Sequence, residues 1–147
     1  MLTAEQAQLT HLDLSGNRLD HEAGNILGKA LRINNTLLTL SLRLNSLKDC
    51  GGWALFAGMR DNISLQLINV SANGLGSHVV EELSTMDQEG KTRSRRRSFA
   101  PTIVLTSNPF SSEDMEILRS LRSLKIDTRQ GPVSQGGCSE DRWTTAC

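Results

Sequence analysis

Side chains able to bind a metal recur along this chain at one position. Glu22, Cys50, His78 and Glu113 each follow an asparagine by five residues, and His21 and Asp49 follow one by four. Carboxylate, thiolate and imidazole groups hold zinc, but a zinc site wants four of them in a tight tetrahedron, usually supplied as local pairs. Here the members of the five-residue column stand 28 or 35 residues apart. That spacing predicts exposed residues at the starts of successive helices, and no metal or other cofactor is expected. Among the outward-facing strand residues nothing forms a nucleophile–base pair in one row, as covalent catalysis needs, so the chain reads as non-enzymatic.

A second cluster is charged rather than ligating. In KTRSRRRSF (91–99), Lys91, Arg93, Arg95, Arg96 and Arg97 place five basic residues within seven. Three readings stand. The acids just upstream, Glu81, Glu82, Asp87 and Glu89, neutralise the run internally. Or the run is a projecting loop that contacts an acidic partner surface, such as a tubulin tail. Or it is a nuclear-localisation signal. Arg95-Arg96-Arg97-Ser98-Phe99 is similar to a substrate of a basophilic, cyclic-AMP-dependent kinase. A phosphate on Ser98 would offset roughly two units of positive charge and weaken such a contact.

The elements that position these residues are repeats. LTHLDLSGNRL (9–19), LLTLSLRLNSL (37–47) and LQLINVSANGL (65–75) begin 28 residues apart, and APTIVLTSNPF (100–110) is a fourth, looser copy. Leu12, Leu40, Ile68 and Ile103 align, as do Leu14, Leu42, Val70 and Leu105. This is the LxxLxLxxNxL pattern of leucine-rich repeats. Alternate residues of each short strand point inward. Asn17, Asn45, Asn73 and Asn108 then form one column in an otherwise apolar run. A buried amide is costly unless hydrogen-bonded. An amide that both donates and accepts can bond the backbone of its own turn and of a neighbouring repeat, so a structural asparagine ladder is expected. Between copies, small or apolar residues fall six, seven, ten, thirteen and fourteen residues after the asparagine: Ala23, Gly24, Leu27, Ala30 and Leu31, then Gly51, Gly52, Leu55, Gly58 and Met59. That is one face of a helix. Repeat three keeps Val79, Val80, Leu83 and Met86, and places Asp87 where the last apolar residue would be. Ser111-Ser112-Glu113-Asp114 reads as a helix start. The fold class is therefore α/β, a solenoid of about four strand–helix repeats of 28 residues with the basic loop inserted before the last.

Bulk properties agree. The formal net charge is zero and aromatic residues are 3% of the chain, with no tyrosine. The core must be aliphatic, and neither nucleic-acid nor membrane-surface binding is expected. No apolar run approaches the roughly 18 residues of a membrane span. MLTAEQAQLT does not read as a signal peptide. Three unpatterned cysteines, Cys50, Cys138 and Cys147, suggest a reducing compartment.

With its 28-residue period, LxxLDLSxNxL strands and GxxxLxxAL helix, the stretch 9–127 resembles the ribonuclease-inhibitor-like class of leucine-rich repeats. The wording LRLNSLKDCGG (42–52) resembles segments of the T-complex-associated testis-expressed family, an axonemal component of the nexin–dynein regulatory complex. The resemblance implies a non-catalytic scaffold in the cytoplasm, in the cytoskeleton of a cilium or flagellum. The alternative is an enzyme regulator, a GTPase activator or an inhibitor. On the outward strand face stand His11, Asp13, Ser15, Thr39, Ser41, Arg43, Leu67, Asn69, Ser71, Thr102, Val104 and Thr106. Arg43 and Leu67 are the candidate partner-binding residues near its centre, together with Lys91, Arg93, Arg95, Arg96 and Arg97. An Asp13–Arg43 ion pair is a further expectation.

The solenoid is expected over 1–128 and a flexible polar tail over 129–147, with Trp143 in the tail. Eight residues before the first repeat are too few to cover Leu12, Leu14 and Leu27, so a protein partner or further chain is expected at that edge. Leu121, Leu124 and Ile126 are expected to close the other end. The ladder predicts that Asn45→Ala lowers the thermal unfolding midpoint more than Asn45→Asp, which keeps the acceptor oxygens. Equal midpoints would refute it.

Overall fold

The computed structural model describes residues 8–92 and 100–129. In chain order these form β1 (His11–Asp13), α1 (His21–Ile33), β2 (Thr39–Ser41), α2 (Lys48–Met59), β3 (Leu67–Asn69), α3 (Ser77–Thr92), β4 (Thr102–Val104), α4 (Ser112–Ser120) and β5 (Lys125–Asp127). The strands make one parallel sheet in the order β1-β2-β3-β4-β5. Parallel neighbours need a crossover connection, and a helix lies between each strand and the next. The result is a repeat-like α/β arrangement.

Register follows the sequence alignment. His11 pairs with Thr39, Thr39 with Leu67, Leu67 with Thr102 and Thr102 with Lys125. The middle residue of each strand points into the core: Leu40, Ile68 and Ile103 are fully buried, and Leu12 and Ile126 pack against them half-buried. Backbone bonding continues past the strand ends, from Leu14 N to Ser41 O, Leu42 N to Asn69 O, Val70 N to Val104 O and Leu105 N to Asp127 O. The segment expected to close the core does so with Leu121, Leu124 and Ile126 partly buried, and it also adds a fifth strand.

Two details depart from the sequence reading. α3 runs to Thr92, so Lys91 lies in a helix and not in a loop; residues 93–99 lie outside the described residues. And the inward stripe of α1 keeps Gly24, Leu27 and Leu31 as read but takes in Gly28 rather than Ala30. Gly24, Gly28 and Leu31 are buried, whereas Ala30 is exposed. The cause is close approach of backbones. A methyl group at Gly28 would run into the Ala54 carbonyl, and one at Gly58 into the backbone of Gly28. One at Gly51 would meet the Cα of His21 at 2.7 Å. With no side chains between them, α1 and α2 pack backbone to backbone along these glycines. α2 meets the next unit differently: Gly52 leaves room for the side chains of Leu75 and Val79.

The turn after each strand is left-handed at the residue before the asparagine: Gly16 (φ 70°), Leu44 (56°), Ala72 (53°) and Ser107 (58°). Glycine takes this conformation freely, whereas other residues are strained there by roughly 1–2 kcal/mol. Leu44 also exposes 53% of its surface, so it recovers little by burial. Leu44→Gly is expected to raise the stability in urea by about 0.5–1 kcal/mol, the strain relieved less the added entropy of the unfolded chain. A lower midpoint would show that the turn is not strained.

Candidate functional site

The asparagine side chains span the turns. Asn45 Oδ1 accepts from the backbone N–H of Asn17 at 2.9 Å and of Leu19 at 3.0 Å. Its Nδ2 donates to Leu14 O and Leu42 O, both at 2.9 Å. Asn73 donates to Leu42 O at 2.8 Å and Ser71 O at 3.1 Å, and accepts from Leu47 N at 3.4 Å. Asn108 accepts from Asn73 N and Leu75 N at 3.0 and 3.1 Å and donates to Leu105 O and Val70 O at 2.9 and 3.1 Å. Each of the three therefore bonds its own turn and the preceding unit. Asn17 is exposed, and among the described residues its side chain reaches only Ser15 O, at 3.3 Å.

A second column lies at the helix-to-strand turns, and the sequence reading passed over it. Asn34 accepts from Thr36 N and Leu37 N. Asn62, 28 residues on and 1% exposed, accepts from Ser64 N and Leu65 N. Its Nδ2 donates to Leu31 O and Asn34 O, both at 2.7 Å, so it too ties one unit to the one before. The polar turns that end the first two repeats, NNTL (34–37) and NISL (62–65), are the available signal. Asp87 in repeat three also joins two units, but reaches forward and not back. It is 2% exposed and accepts from the backbone N–H of Arg122 at 2.9 Å and of Ser123. The polar residue at an apolar position is thus a linker to the following unit.

At the helix starts, one of the ligand-like side chains, Asp49, serves as a cap. Asp49 Oδ1 accepts from Gly76 N at 2.9 Å and Val79 N at 3.1 Å, and its Oδ2 accepts from His78 N at 3.1 Å. It thereby caps α3 from the preceding unit and pairs with the His78 ring at 3.1 Å. Glu22 and Glu113 are exposed. Cys50 is disulfide-bonded, which departs from the reading of three reduced thiols. Cys50, Trp53, His78 and Glu81 line a shallow groove of about 250 Å³. Among the described residues no three His, Cys, Asp or Glu side chains are grouped so as to hold a metal ion.

The outward face of the sheet is knit by short polar contacts. Asp13 Oδ1 accepts from Ser15 N at 2.9 Å and from the Ser15 hydroxyl, which lies 2.7 Å from that of Ser41. Asn69 accepts from Ser71 N and Oγ in the same way, and the Thr106 hydroxyl donates to Ser71 Oγ at 2.8 Å. Hydrogen bonds from Ser15, hydroxyl then backbone, hold the Asp13 carboxyl below its usual range. This local turn occupies Asp13, and the expected ion pair with Arg43 does not form. Arg43 is exposed beyond the end of β2, and Leu67 is half-buried at the start of β3. Leu67 pairs with Thr39, four residues before Arg43. The two are thus about 13 Å apart along the strand direction, on one face but not in one cluster. Glu82 and Glu89 pair with Arg60, the latter at 3.1 Å. Lys91 is placed only as a helical residue. Arg93, Arg95, Arg96, Arg97 and the Ser98 phosphorylation candidate lie outside the described residues, as does 130–147 of the tail. No helix among the described residues is long and apolar enough to cross a membrane.

Asp114 joins two units. It completes a capping box with Ser111 at the start of α4 and accepts from the Ser77 hydroxyl at 3.1 Å. Burial pushes its carboxyl up, but hydrogen bonds from Ser111 and Ser77 outweigh this and hold it below the ordinary value. A lowered folded-state value means that the stabilisation is complete above the unfolded-state value of about 3.9 and is lost as pH falls through the lower folded one. Asp114→Asn should therefore be less stable than the parent at neutral pH, with the gap shrinking below about pH 4. Urea midpoints at pH 7 and pH 3 test this; a gap independent of pH would contradict it.

No protein-family model matches the sequence, and no curated protein is significantly similar to it.

Proposed function

We propose that the chain is a leucine-rich-repeat solenoid acting as a non-catalytic scaffold for protein assembly. The observation that carries this reading is the in-order parallel sheet whose first three strands pair at the 28-residue spacing, with side-chain amides bonding each turn to the unit before it. Arrays built this way gain stability from neighbours and present extended faces, while fold alone does not assign a partner. The apolar edge beside β1 supports an assembly role. Leu12, Leu14, Leu19 and Leu27 are half-buried, although their counterparts Leu40, Leu42, Leu47 and Leu55 are fully buried. Ile26 and Ile33 of α1 are 66% and 85% exposed.

The axonemal assignment rests on the likeness of LRLNSLKDCGG to the T-complex-associated testis-expressed family. In this reading the basic run from Lys91 to Arg97 meets an acidic surface such as tubulin's, Arg43 and Leu67 lie on a protein-facing sheet, and phosphate on Ser98 weakens the acidic contact. Fractionation of the tagged chain in ciliated cells tests it. Retention on axonemes through detergent and then high salt is the expected result. Release into the soluble or nuclear fraction would overturn the scaffold reading in favour of an enzyme regulator. Ser98→Glu should reduce retention, and an unchanged level would remove the phosphorylation step.

A further inference from the structure

We propose that Asn73–Gly74 is a deamidation site, closed while the second and third repeats are stacked and opened when they part. It is the one Asn-Gly pair in the chain. The reaction needs only water. The Gly74 backbone nitrogen loses its proton and bonds to Cγ of Asn73, the Cγ–Nδ2 bond breaks, and ammonia leaves carrying a proton. Water then opens the cyclic imide to aspartate or isoaspartate. No oxidant or reductant is involved.

The column itself shows why this member is the reactive one. Asn17 and Asn45 precede Arg18 and Ser46, whose side chains crowd the attacking nitrogen. Asn108 precedes Pro109, which has no N–H to give up. Gly74 has no side chain, is exposed, and sits at a φ of 70° that other residues rarely adopt.

The stacked structure withholds the reaction. Asn73 is 2% exposed. Its Nδ2, the leaving group, is held by Leu42 O at 2.8 Å and Ser71 O at 3.1 Å. Its own N–H is held by Asn108 Oδ1 at 3.0 Å. Leu42 belongs to the preceding unit. Rotating Cγ toward Gly74 N and admitting water therefore require local separation of the units, which proteins undergo at a definable free-energy cost. The product does not restore the joint. A carboxylate offers no donor to Leu42 O or Ser71 O and buries a charge against them, and isoaspartate lengthens the main chain by one carbon. The site thus records opening of the array irreversibly.

The test is incubation of the full chain at neutral pH, in buffer and in denaturing urea, with peptide mass spectrometry of each asparagine. Conversion at Asn73 should be more than about tenfold faster in urea and should there outpace Asn17, Asn45 and Asn108. Equal rates in the two conditions, or no preference for Asn73 in urea, would overturn the proposal. Asn73→Asp, made directly, should unfold at lower urea than the parent or fail to fold. A parental midpoint would overturn the claim that the change prevents restacking.

Discussion

A side-chain amide carries donors and an acceptor on one planar group, and the turn after each strand depends on that pairing. At these turns the backbone leaves the sheet, passes through a left-handed residue and exposes N–H and C=O groups to the interior. Asn45, Asn73 and Asn108 take up groups of both kinds, from their own turn and from the unit before. Unpaired, those groups would oppose burial. Paired, they allow Leu42, Leu47, Val70 and Leu75 to pack around them with no exposure. The same bonds hold Leu44 and Ala72 in conformations that favour glycine.

Stacking is reinforced at two further levels, each using a side chain from one unit to satisfy the backbone of another. Asn62 reaches back to Leu31 and Asn34. Asp49 and Asp87 reach forward, to the start of α3 and to the segment after α4. Apolar burial alone is indifferent to small slips between units, since it scales with area and has no direction. The polar links are directional and fall at fixed positions, so they set the register that the leucines then fill. The Gly28–Gly58 contact adds a steric limit, because no larger residue fits between α1 and α2.

Much of this was legible in the residues. The period, the inward strand positions and the asparagine column could be read by aligning three segments, because each is a local pattern repeated at one spacing. Asn34 and Asn62 share that spacing and could have been read the same way. Asp87 was harder. It breaks the apolar pattern, and the N–H groups it serves are 35 and 36 residues away. Asp13 illustrates the opposite error: charge sign suggested Arg43, but Ser15, two residues on, offered a hydroxyl and an N–H with less chain to order.

The sequence by itself determined the repeat unit: the strand, the turn and the apolar helix stripe, since these follow from short-range periodicity and turn chemistry. Only the tertiary structure decided how the units meet. It set α1 backbone-to-backbone against α2 through glycines and gave α3 its cap from Asp49 of the preceding unit. Those outcomes depend on distances between residues far apart in the chain. A one-dimensional pattern specifies which face is buried, but not how closely two buried faces approach.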